Sequence, residues 1–114
     1  MLIGRVYPKR VGPQTLTTSA VLYFTADKRY SIERFTVTNY SVTDATVTLH
    51  IVASGGSVAN SNKLLGAVTV AANDLTTIPA PVILDAGDKV YALASDASAL
   101  NLTFHVNDVE MGIQ

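Results

Sequence analysis

Cysteine and tryptophan are both absent from the 114 residues. Without cysteine there is no disulfide framework, no thiolate metal site and no thiol nucleophile. Without tryptophan, the flat row of exposed aromatics that would favour a carbohydrate-binding module loses its largest member. Charge is scarce as well: charged residues make up 15%, against roughly 25% in an average globular chain. Thr, Ser, Asn and Ala must cover the surface instead, which suits a protein packed against other subunits and also a soluble β domain with a polar coat. No apolar run approaches the length that spans a bilayer. The opening stretch MLIGRVYPKRVGPQ has no uninterrupted apolar region and does not read as a secretory signal peptide.

What is present is apolar and β-prone. Hydrophobic residues reach 48%, enough to build one core in a chain long enough for one domain. The net charge of -1 is unevenly distributed. Residues 1–14 hold Arg5, Lys9 and Arg10 and no acid, whereas the remainder carries five bases against nine acids. The division expected is therefore an extended basic arm over 1–14 and a β domain over 15–114. Leu2, Ile3, Val6, Tyr7 and Val11 of the arm can bury apolar area on a neighbouring subunit or on the chain's own body, while Arg5, Lys9 and Arg10 meet acidic surface. Three charges without aromatic stacking partners are a poor nucleic-acid site, so nucleic acid is disfavoured as a partner.

Alternation of apolar and polar residues dominates the chain. In Ala45–Ala53, the residues Ala45, Val47, Leu49, Ile51 and Ala53 share one face, and Thr46, Thr48, His50 and Val52 the other. Leu100, Leu102, Phe104 and Val106 point inward along the final strand, with Asn101, Thr103 and His105 outward. Further strands are expected over 16–25, 30–39, 64–71, 75–78, 82–84 and 89–94. Ile32 is out of phase with Phe35 and Val37, which predicts a bulge near Glu33–Arg34. Pro79 and Pro81 donate no ladder hydrogen bond, so their segment belongs at a sheet edge or a crossing between sheets. The stretch 54–63, SGGSVANSNK, is an exposed loop open to partner contacts. About eight short strands separated by turns indicate an all-β sandwich or barrel.

Chemistry is thin. Asp85 and Asp88 in the sequence LDAGD have too few companions for a calcium loop and sit too close for a glycosidase pair, whereas a tight turn accounts for every residue. His50 and His105 both fall on outward faces, where adjacent strands could bring them together, yet a zinc site needs three or four ligands. Gly55-Gly56-Ser57 lacks the pattern of a nucleophile elbow and the lysine of a phosphate loop. Phe35 and Phe104 fit core positions, while Tyr7, Tyr30 and Tyr40 fit a surface. No catalytic residue, cofactor or metal is expected.

Two stretches carry a resemblance. Tyr30–Val52 is similar to the strand–"TN-S"–strand hairpin of small virion proteins of tailed bacteriophages. Val82–Ser95 with Ala99–Glu110 is similar to their closing pattern, an "L-x-x-G-D" turn, a strand, an Ala/Ser-rich link and a last strand; Asn107 departs from it where glycine is expected. The resemblance covers about residues 20–112. It implies an antiparallel, jelly-roll-like β-sandwich without enzymatic activity, located in the virion. Its partners would be further copies of itself and other virion proteins, as a capsid decoration protein or, second, a tail or baseplate component. From another class, a carbohydrate-binding sandwich module is the alternative.

Overall fold

The computed structural model describes residues 7–108. Leu2, Ile3, Arg5 and Val6 of the expected contact segment lie outside the described residues. Ten strands follow one another: β1 (Tyr7–Thr15), β2 (Val21–Thr25), β3 (Tyr30–Ile32), β4 (Phe35–Asn39), β5 (Ala45–Val52), β6 (Lys63–Val70), β7 (Leu75–Ile78), β8 (Val82–Leu84), β9 (Lys89–Ala94) and β10 (Leu100–Asp108). A single 3₁₀ turn, Asn60–Asn62, precedes β6.

Every pairing is antiparallel. In the larger sheet β10 is central, with β1 on one side and β3 and β4 on the other, and these last two are flanked by β8 and β7. The smaller sheet has the order β2-β9-β5-β6. Ser31 pairs with Asn107 and Phe35 with Phe104, so the β3–β4 side holds one residue more than β10 over that interval. The expected bulge is there, at Glu33–Arg34. It brings Tyr30, Ile32, Phe35 and Val37 all into the interior, which strict alternation could not do. Opposite this bulge, Pro79–Pro81 breaks the edge formed by β7 and β8. Counting β3/β4 and β7/β8 as two interrupted strands leaves eight, in the orders β1-β10-β4/β3-β7/β8 and β2-β9-β5-β6. Only the β5–β6 connection stays within one sheet, and all the others cross. This is a jelly roll.

Burial explains the composition. The larger sheet turns bulky residues inward, among them Phe35, Val37, Leu102, Phe104 and Val106. The smaller sheet answers partly with small ones, Ala45, Ala92 and Ala94, beside Val47, Leu49 and Val90. Large against small lets two facing layers interdigitate, and each fully buried Val, Leu or Phe stabilises the fold by about 1.5–3 kcal/mol. Phe24 of β2 joins the sheets at one end: its ring meets Tyr30 edge-on at 5.5 Å and Phe104 at 6.2 Å.

Three expectations need correction. The strand foreseen over 16–25 begins only at Val21, because Leu16 turns into the core at 0% exposure and residues 16–20 carry the chain between the sheets. The "TN-S" segment is not a hairpin turn, since β4 and β5 belong to different sheets. Tyr30 is buried rather than superficial. Residues 7–14 of the expected arm form most of β1, paired with β10 of the same chain.

Candidate functional site

LDAGD is a turn between β8 and β9. The Asp88 amide donates to the Asp85 carbonyl at 3.0 Å, and the Asp85 amide donates to Asp88 Oδ2 at 2.9 Å. Gly87 sits at φ +95°, a conformation glycine adopts without strain. Its amide donates to the Ala26 carbonyl at 2.7 Å, which ties the turn to the β2–β3 connection. Arg29 donates twice to Asp85 Oδ1, at 2.9 and 3.1 Å, across an exposed surface where such a pair stabilises little. Both carboxylates are therefore engaged in holding a corner.

The histidines do not meet, because β5 and β10 lie in different sheets. His105 is exposed as expected, but His50 is 4% exposed. The outer face of β5 is covered by the β5–β6 connection, and Asn62 explains how. His50 Nδ1 lies 2.8 Å from Asn62 Oδ1, which also accepts the Ala59 amide, while Asn62 Nδ2 donates to the Ser57 carbonyl. Val52, beside His50 on the same face, is buried under Gly56. The 54–63 loop is thus exposed but tied down at its base. Among the described residues no three His, Asp or Glu side chains gather as a metal site.

A polar depression of about 450 Å³ opens on the outer face of the larger sheet. Cross-strand neighbours Thr77, Thr36 and Thr103 form its floor, with Arg34, His105 and Asn107 around them. His105 makes no hydrogen bond to a hydroxyl or carboxylate among the described residues, so nothing there prepares a nucleophile. Arg34 and Glu33, at 3.8 Å, are loosely paired and exposed.

Sequence reasoning missed the most organised surface. Asn39, 1% exposed, ends β4 and uses both functions of its amide. Nδ2 donates to the carbonyls of Thr43 and Val70, each at 2.9 Å, and Oδ1 accepts the amide and the hydroxyl of Ser41 at 2.8 and 2.7 Å. The Tyr40–Asp44 connection is thereby fixed, and Asn73 and Asp74 of the β6–β7 connection join it through backbone bonds to Ser41 and Asn39. Held on this frame, Tyr40, Val42 and Leu75 are 47%, 83% and 56% exposed. The signal available was the TN-S motif itself, read as a turn and not as a support.

The sheet edges are interrupted. β1 contains Pro8 and Pro13 and a register shift, β7/β8 is broken by two prolines, and β2 and β6 each shift register. Interrupted edges discourage strand addition. At the corner of β2 and β3, the Tyr30 hydroxyl donates to Asp27 at 2.7 Å, holding that carboxyl below its ordinary value and pushing the phenol up. Lys28 bonds Asp108 at 3.0 Å, which raises its ammonium pKa.

No protein-family model matches the chain, and no curated protein matches it. Solved structures share its fold. A chain of the T13 infectious bursal disease virus particle matches 93% of this chain at a TM-score of 0.61 and 12% identity, over 31% of its own length. A chain of the T=1 particles derived from that virus matches 93% at 0.58 and 12%, over 32% of its length. This protein thus spans about a third of the viral chains it matches. A chain of the Bacillus endospore appendages, a family of disulfide-linked pili, matches 93% at 0.55 and 13%, over 89% of its length. At such identities the likeness is one of fold, a β-sandwich also built into a virus particle and a spore pilus.

Proposed function

We propose that this chain is a non-enzymatic structural subunit that acts by binding other subunits on the surface of a particle. In its finer form the reading is a tailed-phage virion protein, capsid decoration first and a tail or baseplate component second. The observation that carries it is the rigid presentation of Tyr40, Val42 and Leu75 in the open, on a frame built by one buried asparagine. An apolar group held out to solvent by a fixed scaffold is available to a partner without reordering, which lowers the entropy lost on contact. The sandwich shared with subunits of a virus particle and a pilus supports the reading as analogy of fold. The segment 1–14 is a second proposed contact; Lys9 and Arg10 are exposed on β1 within it.

Cryo-electron microscopy of the particle produced alongside this chain tests the reading. Density for the sandwich on the shell supports decoration, and density along the tail supports the second form. Particles that lack it overturn the virion reading. The threonine-lined depression favours one other reading, a carbohydrate-binding module. Glycan titration monitored by NMR at Thr36, Thr77 and Thr103 would reveal it, and the structural reading expects no shifts there.

A further inference from the structure

The two ends of the sandwich differ in chemistry. At one end the β4–β5, β6–β7 and β9–β10 connections interlock, with the Tyr40 amide donating to the Ala99 carbonyl and the Ala72 amide to Asp44 Oδ1. This end carries Asp44, Asp74 and Asp96, all exposed, and its connections contain no Lys or Arg. Among the described residues none of the three aspartates pairs with a base. Tyr40, Val42 and Leu75 are exposed on the same segments, Val42 two residues before Asp44 and Leu75 directly after Asp74.

At the other end lie the β2–β3, β5–β6 and β8–β9 connections. Residues 53–62 hold no charge and consist of Ala, Ser, Gly, Val and Asn. This loop lies against the β8–β9 turn: a Cβ on Gly87 would come within 2.8 Å of the Ser54 Cβ. Lys63 and Lys89 flank it, each opening a strand beside His50 or Val52 of β5. The floor is small and uncharged; around it Lys63 and Lys89 form no ion pair among the described residues, whereas Asp27, Asp85 and Asp88 of the neighbouring turns are held by the Tyr30 hydroxyl, Arg29 and the Asp85 amide.

We propose that the aspartate-rimmed apolar end of one copy docks on the 53–62 loop end of a second copy, stacking the subunits head to tail. Tyr40, Val42 and Leu75 would meet the uncharged floor, and the aspartates would meet Lys63 and Lys89. Both surfaces are pre-ordered, one by Asn39 and the other by Asn62, which lowers the entropy lost on contact. The interrupted edges disfavour the competing route by strand addition. Because the two patches differ, the contact is heterologous and repeats into a ring or a filament. The inference rests on the assembly reading above and adds its contact surfaces.

Two variants test it by sedimentation velocity. Val42→Asp with Leu75→Asp spoils one end, and Lys63→Glu with Lys89→Glu spoils the other; Val42→Ser with Leu75→Ser is the milder alternative should the first unfold. The wild-type chain is expected to form larger species as its concentration rises towards about 1 mM, where contacts of Kd in the millimolar range become visible. Each variant alone should sediment as a single subunit. An equimolar mixture should form a dimer and nothing larger, since each variant retains one intact end. A wild-type chain that stays monomeric, variants that associate as well as wild type, or a mixture that stays monomeric would each overturn the proposal. Association that survives both variants yet vanishes in Lys9→Glu with Arg10→Glu would overturn the stacking and leave the assembly reading standing on β1. Absence from the particle would remove that reading itself.

Discussion

Replacing Asn39 with alanine removes four hydrogen bonds at one residue. They are unequal. The bond to the Val70 carbonyl is fully buried, whereas those to Thr43 and Ser41 lie where the connection borders solvent. Water can replace much of the latter but not the former. An orphaned buried carbonyl costs about 1–3 kcal/mol and each partly solvated bond about 0.5 kcal/mol, so Asn39→Ala should lose about 3 kcal/mol. With a urea m-value of about 1.5 kcal/mol/M, the unfolding midpoint falls by about 2 M. Asn39→Asp is the sharper control. It keeps the acceptor for Ser41 but sets a carboxylate oxygen against the Val70 and Thr43 carbonyls, and it should be less stable than Asn39→Ala at neutral pH. Equilibrium urea unfolding of the three proteins decides the matter. If Asn39→Ala lies within about 0.5 kcal/mol of wild type, the buried network does not support the connection as argued.

Other outcomes follow from particular residues. Gly12→Ala places a Cβ against the Leu102 carbonyl at a φ of +91°; a loss of about 3 kcal/mol or more in thermal or urea unfolding is expected, from clash and left-handed strain together. Asn62→Ala releases the loop base, so limited proteolysis between residues 54 and 60 should quicken by about tenfold as local opening becomes easier. The Asp27 carboxyl, lowered chiefly by the Tyr30 hydrogen bond, contributes stability that is present above the ordinary Asp value and lost as pH falls through its depressed pKa. Tyr30→Phe should move the Asp27 titration back up in a carboxyl-resolved NMR titration, and an unmoved titration refutes the assignment. Lys28 and Tyr30, both raised, contribute stability present below their ordinary values and lost as pH climbs through the raised ones; alkaline unfolding of Asp108→Asn should lack the Lys28 share.

The sandwich was legible because a half-buried strand alternates, and β9, β10 and most of β5 do so. The bulge at Glu33–Arg34 was legible for the same reason, as a phase error between Ile32 and Phe35. Partner choice was not, because alternation is blind to which sheet a strand joins: β4 and β5 look like a hairpin and are not one. His50 was misplaced because its outward face is covered by a connection whose fold depends on Asn62, a contact twelve residues away. The extended basic segment can lie on a neighbour or on its own body; over residues 7–15 it lies on its own body as β1, whose register with β10 breaks at Gly12 and Pro13. The exposed group Tyr40, Val42 and Leu75 was hidden for the opposite reason. Exposed apolar residues far apart in the sequence mean nothing until the backbone brings their segments together.

The position of β10 also bears on how the chain is made. Among the described strands it comes last in the chain, yet β1, β3 and β4 all pair with it. Until it leaves the ribosome, β1 has no partner in its sheet, and Tyr30, Ile32, Phe35 and Val37 face only half of their interior. Folding must therefore wait for nearly the whole domain, through an interval in which apolar strands stand uncovered and open to other nascent chains. The interruptions in the edge strands lower the chance of strand addition during that interval.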